Sequence, residues 1–144
     1  MSDFRRLEDG MFASPQIGMA DVTDARELGI SLIINNRPEG ESGEQTAGAE
    51  IEAAARAVGM EYCAIPITHA GFSEPQVDAM IAALEAAQGP VLAYCRSGTR
   101  STLLWTLAQA KLGRSPDELA RLAANAGYDL GPIRPMLDML AGRG

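Results

Sequence analysis

Short apolar runs alternate along this chain with longer stretches in which apolar residues recur at every third or fourth position. Strands that alternate with helices in this way are typical of an α/β domain. The sequence therefore predicts a three-layer sandwich, with a central, mainly parallel sheet of four to five strands flanked by helices. We place strands at residues 11–14, 31–35, 61–65 and 91–94. We place helices at residues 21–28, 44–58 and 133–140, and after Ser73, Cys95 and Ser115.

Two of the helix starts carry explicit capping signals. Ser73 is followed three residues later by Gln76, and apolar side chains then line one helical face through residues 77–84. Ser115 and Glu118 repeat the same spacing. A hydroxyl residue followed at the third position by Glu or Gln satisfies free amides at a helix N-terminus. Both positions are therefore predicted to begin helices.

Length and charge limit the function classes. A chain of 144 residues fits one domain with a hydrophobic core, so we predict a single domain over residues 1–144. The net charge of −7, from 12 basic and 19 acidic residues, leaves no basic patch. Nucleic acid and acidic membrane surfaces are therefore not expected as partners. No apolar stretch approaches the roughly 20 residues that cross a bilayer, and none follows the N-terminus as in a signal peptide.

The cysteine and histidine content bears on compartment and metal binding. Two cysteines, far apart in sequence, indicate a reducing compartment. One histidine and two cysteines are too few ligands for a structural zinc site. We expect a cytoplasmic protein that uses no metal and no other cofactor.

The candidate chemistry lies in residues 91–101, where an apolar strand, a small-residue loop and a helix follow one another. Cys95 stands where the strand ends, and Arg100 stands five positions later, where the helix begins. Backbone amides at a helix N-terminus bind anions and favour thiolate over thiol. The pattern predicts that Cys95 is a nucleophile inside an anion-binding loop.

Other residues of the loop suit the same chemistry. Arg100 offers a planar fork that can hold two oxygens of an oxyanion. Gly98 permits the backbone angles that turn successive amides inward. The hydroxyl of Ser101 could donate to the sulfur, and Arg96 and Ser97 are expected at the rim. The simpler alternative, a cysteine buried for packing alone, does not require a polar loop with two arginines.

Three further residues have less certain roles. Arg37 and His69 each follow a predicted strand, and should therefore lie at the same sheet edge as Cys95. Arg37 is a candidate rim or substrate contact, or an ordinary solvated side chain. His69 is a candidate acid, base or substrate contact, or an ordinary loop histidine. Cys63 lies in mid-strand and is expected to pack in the core, with a resolving thiol as the alternative.

Three segments together resemble a known family. They are residues 94–101, Tyr-Cys-Arg-Ser-Gly-Thr-Arg-Ser, residues 34–39, Ile-Asn-Asn-Arg-Pro-Glu, and residues 64–67, Ala-Ile-Pro-Ile. The chain resembles the phosphatase-like domain family of bacterial beta-lactamase-hydrolase-like proteins, also described as sulfur transferases. The resemblance covers nearly the whole chain and implies a fold similar to that of dual-specificity protein tyrosine phosphatases. Family members occur alone or fused to persulfide- or sulfide-oxidising enzymes, which the resemblance implies as possible partners.

The resemblance also implies roles for individual residues. It makes Cys95 the nucleophile and Arg100 the oxyanion-binding arginine, and it matches Ser101 to the hydroxyl residue that follows the arginine in phosphatases. The amides of the loop would belong to Arg96, Ser97, Gly98, Thr99 and Arg100.

The chain departs from the phosphatase pattern in two ways. Tyr94 stands where phosphatases carry a histidine, and four residues rather than five separate Cys95 from Arg100. That spacing resembles the rhodanese sulfurtransferases, although no Asp-x-Arg stands directly after an early strand and no Gly-His-Ile occurs further on. The loop at residues 68–73 also lacks the aspartate that protonates the leaving group in phosphatases, and only His69 could replace it.

These observations leave three hypotheses. The leading one is a sulfurtransferase, in which Cys95 takes sulfur from a donor such as thiosulfate or a persulfide and passes it to a thiol acceptor. Sulfur leaving groups need little acid assistance, which suits the missing aspartate. The first alternative is a phosphatase that acts through a phosphocysteine. The second is a non-catalytic module that binds anions or persulfides. Each implies a small anionic ligand.

Overall fold

A computed structural model describes residues 2–143. It contains one five-stranded sheet with the strand order β1-β2-β5-β3-β4. Strand β1 is antiparallel to β2, while β2, β5, β3 and β4 run parallel to one another. The expected α/β sandwich with a mainly parallel sheet is therefore confirmed. The strands are Arg5–Glu8 (β1), Met11–Ser14 (β2), Leu32–Asn35 (β3), Glu61–Ala64 (β4) and Val91–Tyr94 (β5).

Six α-helices and one short 3-10 turn complete the described chain. The helices are Met19–Glu27 (α1), Gly48–Ala57 (α2), Glu74–Ala86 (α3), Thr99–Lys111 (α4), Pro116–Asn125 (α5) and Arg134–Arg143 (α6), and the 3-10 turn is Gly131–Ile133. The amide of Ser73 donates to Gln76 at 2.8 Å, and that of Glu118 donates to Ser115 at 3.4 Å. Both helix starts predicted from capping signals are therefore correct. The helix expected at residues 44–58 begins only at Gly48, because residues 44–47 belong to a longer loop.

Strand β1 was not predicted from the sequence. Three of its four residues are charged, and only Leu7 is buried. The strand forms a hairpin with β2 through Gly10, whose φ is +82°. It lies at the edge of the sheet, where charged side chains are tolerated and discourage pairing with other chains. An apolar pattern therefore cannot reveal it.

The two faces of the sheet are covered by different helices, and the alternation along β5 shows this directly. Val91 and Ala93 belong to a core cluster with residues of α3, α4, α5 and α6. Leu92 and Tyr94 belong to a second cluster with residues of α1 and α2. Successive strand residues point to opposite faces, so β5 is buried on both sides. Because β5 is buried on both sides, the packing fixes the position of Cys95, which directly follows the strand.

Helix α4 is the most enclosed helix of the domain. Nine of its 13 residues are buried, and Trp105 is only 1% exposed. Trp105 belongs to the core cluster that also contains Val91 and Ala93. No helix within residues 2–143 is long and apolar enough to cross a membrane.

Candidate active site

Three parallel strands end together beneath the cysteine loop. Ser14 of β2 and Asn35 of β3 both lie opposite Tyr94 of β5 in the register of the sheet. Cys95 follows directly, and its amide donates to the carbonyl of Ser14 at 3.3 Å. The amide of Asn36 donates to the carbonyl of Tyr94 at 2.8 Å. Cys95 therefore lies at the carboxyl edge of the sheet, where ligands bind in open α/β folds, and its residue is fully buried.

The loop turns at Gly98, which precedes α4. Its φ of +89° lies in the left-handed region that favours glycine. The turn directs the amide of Gly98 at the sulfur of Cys95, with a distance of 3.1 Å between nitrogen and Sγ. A Cβ at position 98 would lie 2.2 Å from the hydroxyl of Tyr128. Glycine is thus required here both by the backbone angle and by a close neighbour.

Not every amide of the predicted ring points inward. The amide of Thr99 donates to Oγ of Ser97 at 3.3 Å, and that hydroxyl donates to Oγ1 of Thr99 at 2.9 Å. The Thr99 amide is therefore engaged within the loop itself. Arg96 and Ser97 are exposed at the rim, as the sequence predicts.

Arg100 is held by three hydrogen bonds on its two terminal nitrogens. Nη1 donates to Glu41 and to the carbonyl of Ile67, both at 2.7 Å, and Nη2 donates to Glu41 at 2.9 Å. Hydrogen bonding to Glu41 is the main cause that raises the pKa of Arg100, and the nearby Cys95 adds to it. A guanidinium carries five N–H donors. Glu41 and Ile67 thus leave two donors, one on Nε and one on Nη2, for the sulfur of Cys95 and for the oxygens of an anion.

Glu41 links Arg100 to a second arginine. Nε of Arg37 donates to Glu41 at 2.9 Å, and its Nη1 donates to Gln16 at 3.0 Å. The two guanidinium groups hold the pKa of Glu41 down at about 2, with Arg100 the larger cause and burial opposing it. Arg37 is only 5% exposed. The alternative of an ordinary solvated side chain is therefore wrong, because Arg37 is buried and binds Glu41; a contact of Arg37 with substrate stays a prediction.

Ser101 is completely buried and connects the loop to β3. Its hydroxyl donates to Oδ1 of Asn36 at 2.8 Å, and Nδ2 of Asn36 donates to the carbonyl of Ile65 at 2.9 Å. A serine hydroxyl has one proton to donate. The expected hydrogen bond from Ser101 to the sulfur is therefore absent in this state, and its proton goes to Asn36 instead.

The loop after β4 contributes a carbonyl rather than a side chain to this network. The carbonyl of Ile67 accepts from Arg100, whereas His69, two residues on, is exposed. Any role of His69 as an acid remains a prediction.

Cys63 packs partly buried against the α3 side of the sheet. It lies opposite Ile34, which lies opposite Ala93 on the other side, two residues before Cys95. Two inter-strand spacings separate the Cα atoms of Cys63 and Ala93 by roughly 10 Å. This distance already exceeds the ~7 Å between Cα atoms that a disulfide can bridge. A resolving role for Cys63 is therefore incompatible with this sheet, and packing explains it better.

Sequence reasoning missed Glu41, Asn36 and Tyr128. Glu41 lies in a polar, Gly- and Glu-rich stretch without an apolar pattern, yet an acidic residue four positions after Arg37 was an available signal. Asn36 stood beside Arg37 in the family motif. The hydroxyl of Tyr128, which donates to the carbonyl of Ser97 at 3.2 Å, had no local signal.

Tyr94, which replaces the histidine of phosphatases, points away from the α3–α6 side. It packs with residues of α1 and α2, and burial raises its pKa. Its hydroxyl is buried without a hydrogen-bond partner among the described residues.

No group of three or more His, Cys, Asp or Glu side chains suited to a metal ion occurs within residues 2–143.

A parallel sheet, a cysteine loop at its carboxyl edge and an arginine at the start of the following helix define a protein with a tyrosine-phosphatase-like fold. The model of the family "Beta-lactamase hydrolase-like protein, phosphatase-like domain" matches residues 3–112. The chain belongs to this family.

Relatives and solved structures agree with that placement. A beta-lactamase hydrolase-like protein of Agrobacterium fabrum is 32% identical over 126 residues, which are 87% of this chain and 29% of that protein. The chain thus spans less than a third of the length of this curated relative. The crystal structure of a candidate phosphatase from Neisseria meningitidis superposes with a TM-score of 0.86 and 34% identity, and covers 97% of this chain and 99% of that one.

A more distant structure supports the fold alone. The active form of Tk-PTP matches with a TM-score of 0.77 at 14% identity, over 99% of this chain and 98% of that one. These matches support a phosphatase-like description. They give no support to the sulfur-transferase part of the resemblance.

Proposed function

We propose that this chain is a cysteine-dependent phosphatase that acts through a phosphocysteine on Cys95. The observation that carries the proposal is the arrangement at Arg100. Glu41 and Ile67 occupy Nη1 and one donor of Nη2, and the thiol of Cys95 lies close to the same guanidinium. A fixed fork beside a nucleophile is what the transfer of a tetrahedral oxyanion requires.

The reaction follows from these positions. The sulfur of Cys95 attacks phosphorus, an S–P bond forms, and the bond from phosphorus to the leaving oxygen breaks. Arg100 binds two of the non-bridging oxygens, and the amide of Gly98 stabilises the sulfur anion before attack and after release. The leaving oxygen takes a proton from solvent or from His69. Water then attacks phosphorus, the S–P bond breaks, and the thiolate is restored.

One observation favours sulfur transfer as a second candidate. Four residues separate Cys95 from Arg100, and residues 65–73 contain no carboxylic acid to protonate an oxygen leaving group. In this reaction Cys95 would attack the outer sulfur of thiosulfate or a persulfide, and sulfite or a thiolate would leave. A thiol acceptor would then remove the sulfur from Cys95. Enzymes of sulfide or persulfide oxidation are the partners that this alternative implies.

A paired assay on one preparation separates the candidates. Hydrolysis of an aryl phosphate and sulfur transfer from thiosulfate to cyanide are measured side by side, with Cys95→Ser as the control and Cys63→Ser as the matched cysteine variant. We expect aryl phosphate hydrolysis that Cys95→Ser abolishes and Cys63→Ser retains.

The other outcomes are equally informative. Sulfur transfer without phosphate hydrolysis, together with a mass increase of one sulfur atom on Cys95, would contradict the proposal in favour of the second candidate. If neither reaction occurs but phosphate or thiosulfate raises the melting temperature, the chain is a binding module and the enzymatic proposal is wrong.

A further inference from the structure

The Ser97–Gly98 peptide group connects a distant tyrosine to the nucleophile. The hydroxyl of Tyr128 donates to the carbonyl of Ser97 at 3.2 Å, and the amide of Gly98 donates to Sγ of Cys95 at 3.1 Å. The carbonyl of one residue and the amide of the next belong to the same planar unit. The two hydrogen bonds are therefore linked through a single peptide group, one at its carbonyl and the other at its N–H.

We propose that Tyr128 is a positioning residue that favours the thiolate of Cys95 by polarising the Ser97–Gly98 peptide. The inference rests on the proposed function, because it assumes that Cys95 reacts as a thiolate. A hydrogen bond to a carbonyl draws electron density from the peptide nitrogen and strengthens its N–H as a donor. Chains of this kind strengthen each bond by about 10–30%. A donor to an ionised sulfur gains more than a donor to a neutral thiol.

The surroundings of Tyr128 hold the hydroxyl in the position that this effect needs. Its residue is 7% exposed, and the guanidinium of Arg5 lies over its ring, 5.2 Å from the centroid. Gly98 lets the hydroxyl approach, since a Cβ there would lie 2.2 Å from it. Burial raises the pKa of Tyr128 although Arg5 opposes the shift. The phenol therefore keeps its proton near neutral pH and remains a donor.

Two sets of charged and titratable groups act on the sulfur. Arg100 interacts with Cys95 and is bound by Glu41. Tyr128 contacts the carbonyl of Ser97, with Arg5 over its ring and Asp3 bound to Arg5 at 3.1 Å. Tyr128→Phe keeps the ring beneath Arg5 and every charge of this set, and removes a hydroxyl that donates to Ser97 and also interacts with Arg5. Any change in thiolate formation therefore reports on that hydroxyl.

The test measures the rate at which iodoacetamide alkylates Cys95 between pH 4 and 10, in the full chain carrying Cys63→Ser so that one thiol is followed. We expect Tyr128→Phe to move the pH midpoint of alkylation upward and to slow the reaction about threefold or more below the wild-type midpoint. The limiting rate at high pH is expected to stay within about twofold. Tyr62→Phe is the matched control, because that hydroxyl accepts from Asn35 and the ring packs on the opposite face of the sheet from Tyr128.

A second variant should shift the pH midpoint of alkylation in the opposite direction. Replacing Tyr128 by 3-fluorotyrosine makes the phenol a stronger donor without removing it, so the midpoint should move downward. If Tyr128→Phe does not fold, this variant decides the question. A purely structural role for Tyr128 would change stability but would not move the midpoint in opposite directions in the two variants.

The failures are distinguishable. If the wild-type midpoint is low and neither Tyr128 variant moves it, the inference is overturned while the proposed function stands. If the wild-type midpoint equals that of free glutathione, the thiolate premise fails, and the proposed function and the inference fall together.

Discussion

Glu41 binds Arg100 in a bidentate, end-on arrangement, in which each terminal nitrogen of the guanidinium donates to one carboxylate oxygen. These two residues are 59 positions apart in sequence. Because Glu41 leaves the Nε side of the guanidinium to a ligand, it acts on substrate through Arg100. Neutralising it should loosen the fork without removing the charge that attracts the anion.

We expect Glu41→Gln to lower kcat/KM for an aryl phosphate by roughly tenfold, since a neutral amide holds a guanidinium less firmly and in a different geometry. Steady-state kinetics on the purified variant check this. Glu44→Gln removes the same charge from an exposed position of the same loop and should leave kcat/KM nearly unchanged. Equal losses in both variants would show that the effect is one of net charge.

The stability of the protein should depend on the ionisation of Glu41. Its pKa is lowered from 4.5 to about 2, so the folded state binds this proton less tightly than the unfolded state does. The resulting stabilisation is present above about pH 4.5 and is lost as the pH falls through about 2. We expect the wild type to exceed Glu41→Gln by about 1 kcal/mol in unfolding free energy at pH 7, because solvent screening reduces what the shift alone would imply. Urea unfolding should show this difference shrinking below pH 4.5.

Gly98→Ala should damage both stability and activity. A side chain at a φ of +89° is strained by about 1–2 kcal/mol, and the new Cβ would also displace the hydroxyl of Tyr128. Gly113→Ala is the matched control, because Gly113 has a φ of +101° and nothing within 4 Å of the added Cβ. Both variants should melt at lower temperature, but only Gly98→Ala should lose most of its activity. Full activity in Gly98→Ala would contradict the close approach of Tyr128.

Ser101→Ala should destabilise the fold by about 1–2 kcal/mol, because it leaves the buried Oδ1 of Asn36 without its donor. Thr106→Ala provides the comparison. Its buried hydroxyl donates to the carbonyl of Leu103, within the same helix, so its removal should be milder. Chemical denaturation of the two variants at one pH measures the difference. An equal effect would mean that the Ser101–Asn36 link adds nothing specific.

Phosphate hydrolysis should depend steeply on the leaving group. Residues 65–73 contain no carboxylic acid, and His69 is the one ionisable side chain among them. Nitrophenyl phosphate, whose leaving group needs little protonation, should react much faster than phenyl phosphate. Comparing the two substrates in the wild type and in His69→Ala tests the histidine. If His69 supplies the proton, the variant should lose more activity on phenyl phosphate than on nitrophenyl phosphate.

The sequence predicted those parts of the molecule whose signals are local. The buried strands before Asn36 and Cys95 are continuous apolar runs, and the helices after Ser73 and Ser115 begin with capping residues. The strand, loop and helix around Cys95 could be predicted from the order of residue types alone. Strand β1 was not predicted, because its stability comes from pairing with β2 and its charged residues show no apolar alternation.

The contacts within the site were less predictable because they join distant segments. The proton of Ser101 goes to a side chain 65 residues away, and Arg37 meets Arg100 only through Glu41. Tyr128 follows a glycine turn after α5 and has no pattern that points to the cysteine loop. The motif thus indicated which residues are candidates for the chemistry, while the surrounding packing determines what each of them touches.

The stacking of Arg5 on Tyr128 has a practical consequence for protein engineering. The first strand and the segment after the fifth helix meet beside the cysteine loop, through the contacts of Tyr128 with Arg5 and with the carbonyl of Ser97. A shortened version that retains Cys95 and Arg100 but ends near residue 112 would keep the whole signature and lose the segment that contacts the cysteine loop. Miniaturised or fused versions of this domain should therefore be designed around both flanking segments.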